Sequence, residues 1–214
     1  KNRHMYPSDA YALCMVCSLL GKELTPKYAF VLVDEAQDIS KNEYDLLMRI
    51  NCKASFDVFG DLEQNVTAWR GVGDWRAAFP DFEVFTLNQN YRNTNQIVDF
   101  VASALKVDMQ SIGFDGPEVQ HIAPRGISAF FRDKKGLKAV ICSEKDKEKY
   151  LRKAYSVVSE KGRVSRTRIN LMSVYESKGL EFTSVAVVPA HMTPNEKYIA
   201  YTRALKELAI VEEK

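Results

Sequence analysis

Histidine, cysteine and proline are scarce in this chain, with three, four and seven residues among 214. His4, His121 and His191 show no ligand spacing, and no Ser-His-Asp or Cys-His arrangement stands above chance, which removes the common nucleophilic hydrolases. Four cysteines do not make a disulfide framework in a chain this long. Cys14 and Cys17 have the spacing of half a zinc site, but Cys52 and Cys142 are isolated, so all four read as apolar thiols. No apolar run approaches the ~18 residues of a membrane span. No charged-then-apolar leader opens the sequence, so the expected location is a reducing, cytoplasmic one. Apolar residues make up 46% and charged residues 27%, which excludes disordered and collagen-like classes. The net charge of +2 excludes little by itself. Residues 1–92 carry 10 Lys and Arg against 13 Asp and Glu, a net of −3; residues 93–214 carry 20 against 15, a net of +5. A basic second half suits a polyanion or simply a solvated surface.

The pattern along the chain alternates strand and helix. Ser8-Asp9 precedes an apolar helix from Ala10 to Leu20 that Gly21 closes. The run Tyr28 to Val33 reads as a strand buried on both faces. Ser40 and Glu43 form a capping box for the next helix. Ser55 to Phe59 and Glu83 to Leu87 read as further strands. Thr94 to Leu105 reads as a helix, and Gly113 to Gly126 as an irregular excursion. Ile127 to Phe131 and Leu137 to Cys142 read as strands. Ser143 opens a charged helix expected to run to about Glu160. Ile169 to Val174, Ser184 to Val188 and Glu207 to Val211 are strands, with a helix from Pro194 to Leu205. This is the rhythm of a parallel α/β sheet, in which ligands sit beyond the carboxyl ends of the strands. The expected boundary between two lobes lies near residues 88–93, giving domains over 1–90 and 91–214.

Five segments carry chemistry. Asp34-Glu35-Ala-Gln37-Asp38 follows the first strand; a carboxylate there can hold a hard cation such as Mg2+ while its neighbour orients water. It reads equally as a solvated turn. Gly60-Asp61-Leu-Glu-Gln64 follows the second strand and leads to Trp69-Arg70-Gly71, where a ring beside a cation suits stacking on a nucleobase. Trp69 as ordinary core is the competing reading. Asn90-Tyr91-Arg92-Asn93, Ser177-Lys178-Gly179-Leu180-Glu181-Phe182 and Thr202-Arg203-Ala204 complete the set. An arginine in either of its segments also reads as a structural ion pair.

In this order the five segments resemble the DExxQD, GDxxQ…WRG, NYR, KGLEF and TRA motifs of UvrD/Rep-like superfamily-1 helicases, over about Tyr28 to Ala209. The form VYESKGLEF is most similar to the subgroup around helicase IV. The resemblance implies a P-loop NTPase (RecA-like) fold: parallel sheets flanked by helices, a partial first lobe and a second lobe. It implies ATP and Mg2+ as cofactors. Asp34 would bind the metal, Glu35 would activate the attacking water and Gln64 would contact the γ-phosphate. Arg92 and Arg203 would act as arginine fingers. Tyr91 would stack on adenine, Glu181 would meet the ribose, and Gln37 belongs with these cofactor-binding positions. Trp69, Arg70, Tyr175 and Lys178 would bind single-stranded DNA.

The family also needs a G-x-x-x-x-G-K-[ST] loop to cradle phosphate. The one Gly-Lys pair, Gly21-Lys22, is followed by Glu23 and has no glycine five residues earlier. The expectation is therefore a C-terminal piece of a longer motor protein, an ATP-dependent DNA helicase or translocase, inactive alone. Tyr175 stands where many relatives carry His. The alternative is a degenerate, non-motor module that binds a partner such as RNA polymerase or repair proteins. A metal nuclease using Asp34, Glu35 and Asp61 would leave the arginine motifs unexplained.

Overall fold

The structure, a computed structural model, describes residues 6–24, 27–66, 71–158 and 163–212. The chain divides into two compact units, Lys1–Val84 and Phe85–Lys214.

In the first unit, α1 (Pro7–Leu19) begins at Pro7, so Asp9 lies in its first turn and accepts the Tyr6 N–H at 3.0 Å. Gly21 ends the helix at φ +73°, a conformation glycine adopts without a Cβ clash. Strand β1 (Phe30–Val33), α2 (Lys41–Ile50) and β2 (Ser55–Val58) form a βαβ unit with parallel strands, Val33 opposite Val58. The Ser40–Glu43 capping box forms as expected. Val31, Val33 and Val58 pack on Tyr44 and Met48 from α2 and on Phe79 and Phe82 beyond α3 (Trp75–Ala78). Tyr44 meets Phe79 edge to face at 4.7 Å.

Burial of β1 on both faces is corrected. Phe30 and Leu32 are 74% and 71% exposed. Side chains alternate across a strand, and this two-stranded sheet is covered on one face only. Nor does a strand form over residues 83–87: backbone pairing starts at Asn88, whose carbonyl accepts the Gln110 N–H at 2.7 Å. A β-prone run without a partner edge stays irregular.

The second unit opens with β3 (Gln89–Asn90), α4 (Asn95–Leu105) and β4 (Gln110–Ser111), β3 pairing β4 in parallel. There follow β5 (Gln120–Ile122), α5 (Ile127–Phe130), β6 (Lys138–Cys142), α6 (Lys147–Tyr150) and β7 (Tyr155–Val157). Then come β8 (Ile169–Ser173), α7 (Val174–Ser177), β9 (Phe182–Val187), α8 (Pro194–Thr202) and β10 (Ala204–Val211). Six strands make one wholly parallel sheet in the order β5-β10-β9-β6-β8-β7. Its central strands are near-continuous apolar runs, as strands covered on both faces require. Val140, Leu171, Ala186 and Ala209 pack with Phe130, Phe131, Tyr150 and Tyr155 in one core.

Three sequence expectations fail here, the first over Gly113 to Gly126, expected as an irregular excursion, where Gln120–Ile122 adds strand β5 beside β10. The run from Ile127, expected as a strand to Phe131, forms the helix α5 over Ile127–Phe130, because Ile127, Phe130 and Phe131 are buried at i, i+3 and i+4, which is helical spacing. The helix after Ser143 stops at Tyr150 instead of reaching Glu160; Tyr155-Ser-Val is aromatic and β-branched and adds an edge strand beside β8.

Candidate functional site

The first candidate site is at the carboxyl edge of β1 and β2. Asp34 follows β1 directly, and its Oδ1 accepts the Glu35 N–H at 2.8 Å. Glu35 itself takes a left-handed backbone, φ 51° and ψ 37°, which costs an ordinary residue about 1 kcal/mol. Its surroundings enforce that conformation. Ala36 donates its N–H to the Phe59 carbonyl at 2.9 Å, and Tyr44 donates its hydroxyl to the Ala36 carbonyl at 2.8 Å. Burial pushes the Tyr44 phenol up to about 12, so it stays a donor. The carboxyl groups of Asp34 and Glu35 remain exposed.

Gln37 is fully buried. Its Nε2 donates to Glu35 Oε2 at 2.7 Å, and its Oε1 accepts the Asp61 N–H at 3.0 Å. Asp61 in turn accepts from Gln64 Nε2 at 2.8 Å and from the Glu63 N–H at 3.0 Å. The acidic motif and the Gly60–Gln64 turn are thus one hydrogen-bonded assembly. Gln37, expected at the cofactor, has both ends of its amide committed to the chain. Trp69 and Arg70 lie outside the described residues.

Among the described residues no group of three or more His, Cys, Asp or Glu could hold a metal ion.

In the second unit three motifs converge. Arg92 Nη1 pairs with Glu181 Oε1 at 3.0 Å, joining the NYR and KGLEF segments. Asn93, buried, donates from Nδ2 to the carbonyls of Thr202 and Ala204 at 3.0 and 2.7 Å, joining NYR to TRA. Sequence reasoning passed over Asn93; its signal was an asparagine fixed between a cationic residue and a helix cap. Asn90 orders the loop, its Oδ1 accepting the N–H groups of Arg92 and Asn93 at 2.9 and 3.0 Å. Tyr91 is 73% exposed, a ring available to a planar ligand.

Arg203 is placed differently from the expectation of an outward-reaching finger. It is 4% exposed. Its guanidinium donates to the carbonyls of Ile199 at 3.1 Å and Leu180 at 3.3 Å, and to Thr202 Oγ1 at 3.4 Å. It braces the turn that carries Glu181.

Tyr175, exposed, and Lys178 lie on and just after α7, beyond the carboxyl end of β8. Ser173 caps that helix, and Glu176 completes the box while pairing with Lys147 Nζ at 2.6 Å through Oε1. Gly179 supplies the left-handed turn into β9 at φ +75°. Tyr175 and Lys178 share the strand edge where α/β proteins receive ligands.

Known proteins resemble this chain in sequence over its first part and in fold over most of its length. Residues 11–73 match the UvrD/REP helicase N-terminal domain. The ATP-dependent DNA helicase Rep of Escherichia coli is 35% identical over 78 residues, 34% of this chain and 12% of Rep. The ATP-dependent DNA helicase PcrA of Staphylococcus epidermidis is 30% identical over 86 residues, 37% of this chain and 12% of PcrA. The chain therefore spans only a small part of the length of these relatives. The PRRSV helicase superposes with a TM-score of 0.55 at 16% identity, covering 91% of this chain and 36% of its own. An arterivirus nonstructural protein 10 helicase, solved with DNA, gives 0.52 at 19% identity over 89% of this chain and 41% of its own. The likeness to these structures is one of fold, a RecA-like parallel α/β architecture. The family match covers residues 11–73, a stretch that holds the acidic and GDxxQ motifs, and over that stretch the chain is similar to the UvrD-like superfamily-1 helicases.

Proposed function

We propose that this chain is a segment of an ATP-driven DNA helicase or translocase and supplies part of its nucleotide and single-stranded DNA machinery. The reading rests above all on the assembly at the carboxyl edge of β1 and β2, where the acidic pair and Gln64 hang on one hydrogen-bonded network. Phosphoryl transfer needs positioning and charge neutralisation more than covalent chemistry. Mg2+ supplies that neutralisation when bound, with Asp34 as its ligand. Glu35 accepts the proton of the attacking water, and Gln64 orients that water. Arg92 serves as the guanidinium that stabilises the developing charge. Its exposed ion pair with Glu181 is worth about 1 kcal/mol or less, so it exchanges readily for phosphate. Tyr91 offers its exposed ring to adenine, and Glu181, once released, meets the ribose. Arg203 reaches phosphate only after leaving its carbonyl partners, and otherwise holds the Leu180–Glu181 turn. Trp69, Arg70, Tyr175 and Lys178 engage the strand by stacking and charge.

The experiment is ATP turnover by the full-length polypeptide, with and without single-stranded DNA. DNA-stimulated turnover that Glu35→Gln lowers by about 100-fold or more, with little change in ATP affinity, is the expected result. Wild-type turnover that DNA leaves unchanged, or the absence of turnover, defeats the motor reading in favour of a partner-binding module.

A further inference from the structure

Gln37 occupies a place that surface exposure and motif matching both overlook. It is fully buried, yet it touches the chain's two chemically active edges at once. Its Nε2 holds Glu35 Oε2 at 2.7 Å while its Oε1 holds the Asp61 N–H at 3.0 Å. Its own carbonyl accepts from Asn65 Nδ2 at 3.2 Å and from the Val72 N–H at 3.3 Å. Two glycines are shaped around it. A Cβ on Gly60 would lie 2.7 Å from Gln37 Oε1 and 2.9 Å from the Trp75 ring. A Cβ on Gly71, at φ +97°, would lie 2.0 Å from the Gln37 carbonyl oxygen. Those glycines belong to the GDxxQ…WRG motif, and close approach to Gln37 accounts for both of them.

We propose that Gln37 is the positioning residue of this site: its buried amide sets the Glu35 carboxylate and, through Asp61, the Gln64 side chain. The chemistry favours this assignment. A glutamate on a left-handed residue at a strand end has several side-chain rotamers open to it. One donor fixed in the interior selects among them, at no reorganisation cost when a substrate arrives. An amide is a neutral group that can donate at one end and accept at the other, so one side chain serves both the Glu35 carboxylate and the Asp61 N–H. The placement of Glu35 as the acceptor of the water's proton is the proposed function above, and the inference deepens that reading.

The test uses the 214-residue chain itself, by NMR of Glu35. Three-bond couplings about its Cα–Cβ bond are expected to report one rotamer in the wild type. Gln37→Met is similar in length but neither donates nor accepts through an amide. It should average those couplings and speed exchange of the Asp61 amide by about tenfold or more, with the Val33 and Tyr44 resonances unmoved. Gln37→Asn is the milder variant: it keeps a buried amide but is one methylene too short to span both partners, and should release Glu35 as well. Unchanged Glu35 couplings in both variants overturn the proposal. So does loss of the Val33 and Tyr44 signals in both, which would make Gln37 a residue of the fold alone. In the full-length polypeptide either variant should lower kcat by about tenfold or more with KM for ATP within about twofold. A wild type silent in that assay fails the ATPase reading and leaves the NMR result to decide the role of Gln37.

Discussion

Gly71 has a backbone that other residues adopt only under strain, and its Cα faces the Gln37 carbonyl, with no room for a methyl group. Gly71→Ala must therefore both unwind an unfavourable φ and push back a backbone oxygen that accepts two hydrogen bonds. The expected loss is about 3 kcal/mol or more. Both tryptophans, Trp69 and Trp75, lie in the first unit, so urea unfolding followed by tryptophan fluorescence reads it directly. Gly73→Ala is the control, because a Cβ there meets nothing within 4 Å; it should leave the midpoint nearly unchanged. Equal midpoints for the two variants would show that the Gln37 carbonyl moves aside freely.

At the scale of elements, α7 is one turn long and depends on its cap. Ser173 and Glu176 satisfy each other's backbone groups, and Glu176 also binds Lys147, whose Nζ donates to the Val158 carbonyl at 3.1 Å. Burial alone would raise the Glu176 carboxyl. The hydrogen bonds from Lys147 and Ser173 outweigh it and hold the group below its ordinary 4.5. A carboxyl lowered in the native state binds its proton more tightly when unfolded. Its contribution is thus complete above 4.5 and is lost as pH falls through the lower native value. Glu176→Gln should cost about 2–3 kcal/mol at neutral pH. It should also flatten the acid limb of the stability curve, read by hydrogen exchange in β8 and β9. An unchanged acid limb would remove Glu176 from the titration.

The same element shows what the sequence could and could not disclose. The capping box at Ser40 and the apolar strands β6, β8, β9 and β10 are local patterns, and they read correctly from spacing; the Ser173 box, the same kind of pattern, sits at the end of a run that reads as strand. The exposure of Phe30 and Leu32, the helical fold of Ile127–Phe130 and the burial of Arg203 depend on what packs opposite, which spacing does not record. Asp34, Glu35 and Gln64 were legible as a group because strand ends advertise themselves. The part of Gln37 was not, because an amide between two motifs looks the same in sequence whether it faces a ligand or the interior.

For the whole molecule, the decisive quantity is how ATP would be held. The 214 residues contain no G-x-x-x-x-G-K-[ST] loop, and that loop supplies the backbone N–H groups and lysine that cradle the phosphates in such proteins. Tyr91, Arg92 and Asp34, proposed above to meet ATP, supply a ring, a guanidinium and a metal ligand but no such cradle. Contacts of that kind, without a cradle, support affinities of about 1 mM, near −4 kcal/mol. The isolated chain is therefore expected to bind ATP only in that range by calorimetry, and to release phosphate no faster than its own Glu35→Gln variant. Turnover by the isolated chain that Glu35→Gln abolishes would mean that these residues grip phosphate by a route other than the loop, and the division of labour proposed for the longer protein would have to be redrawn.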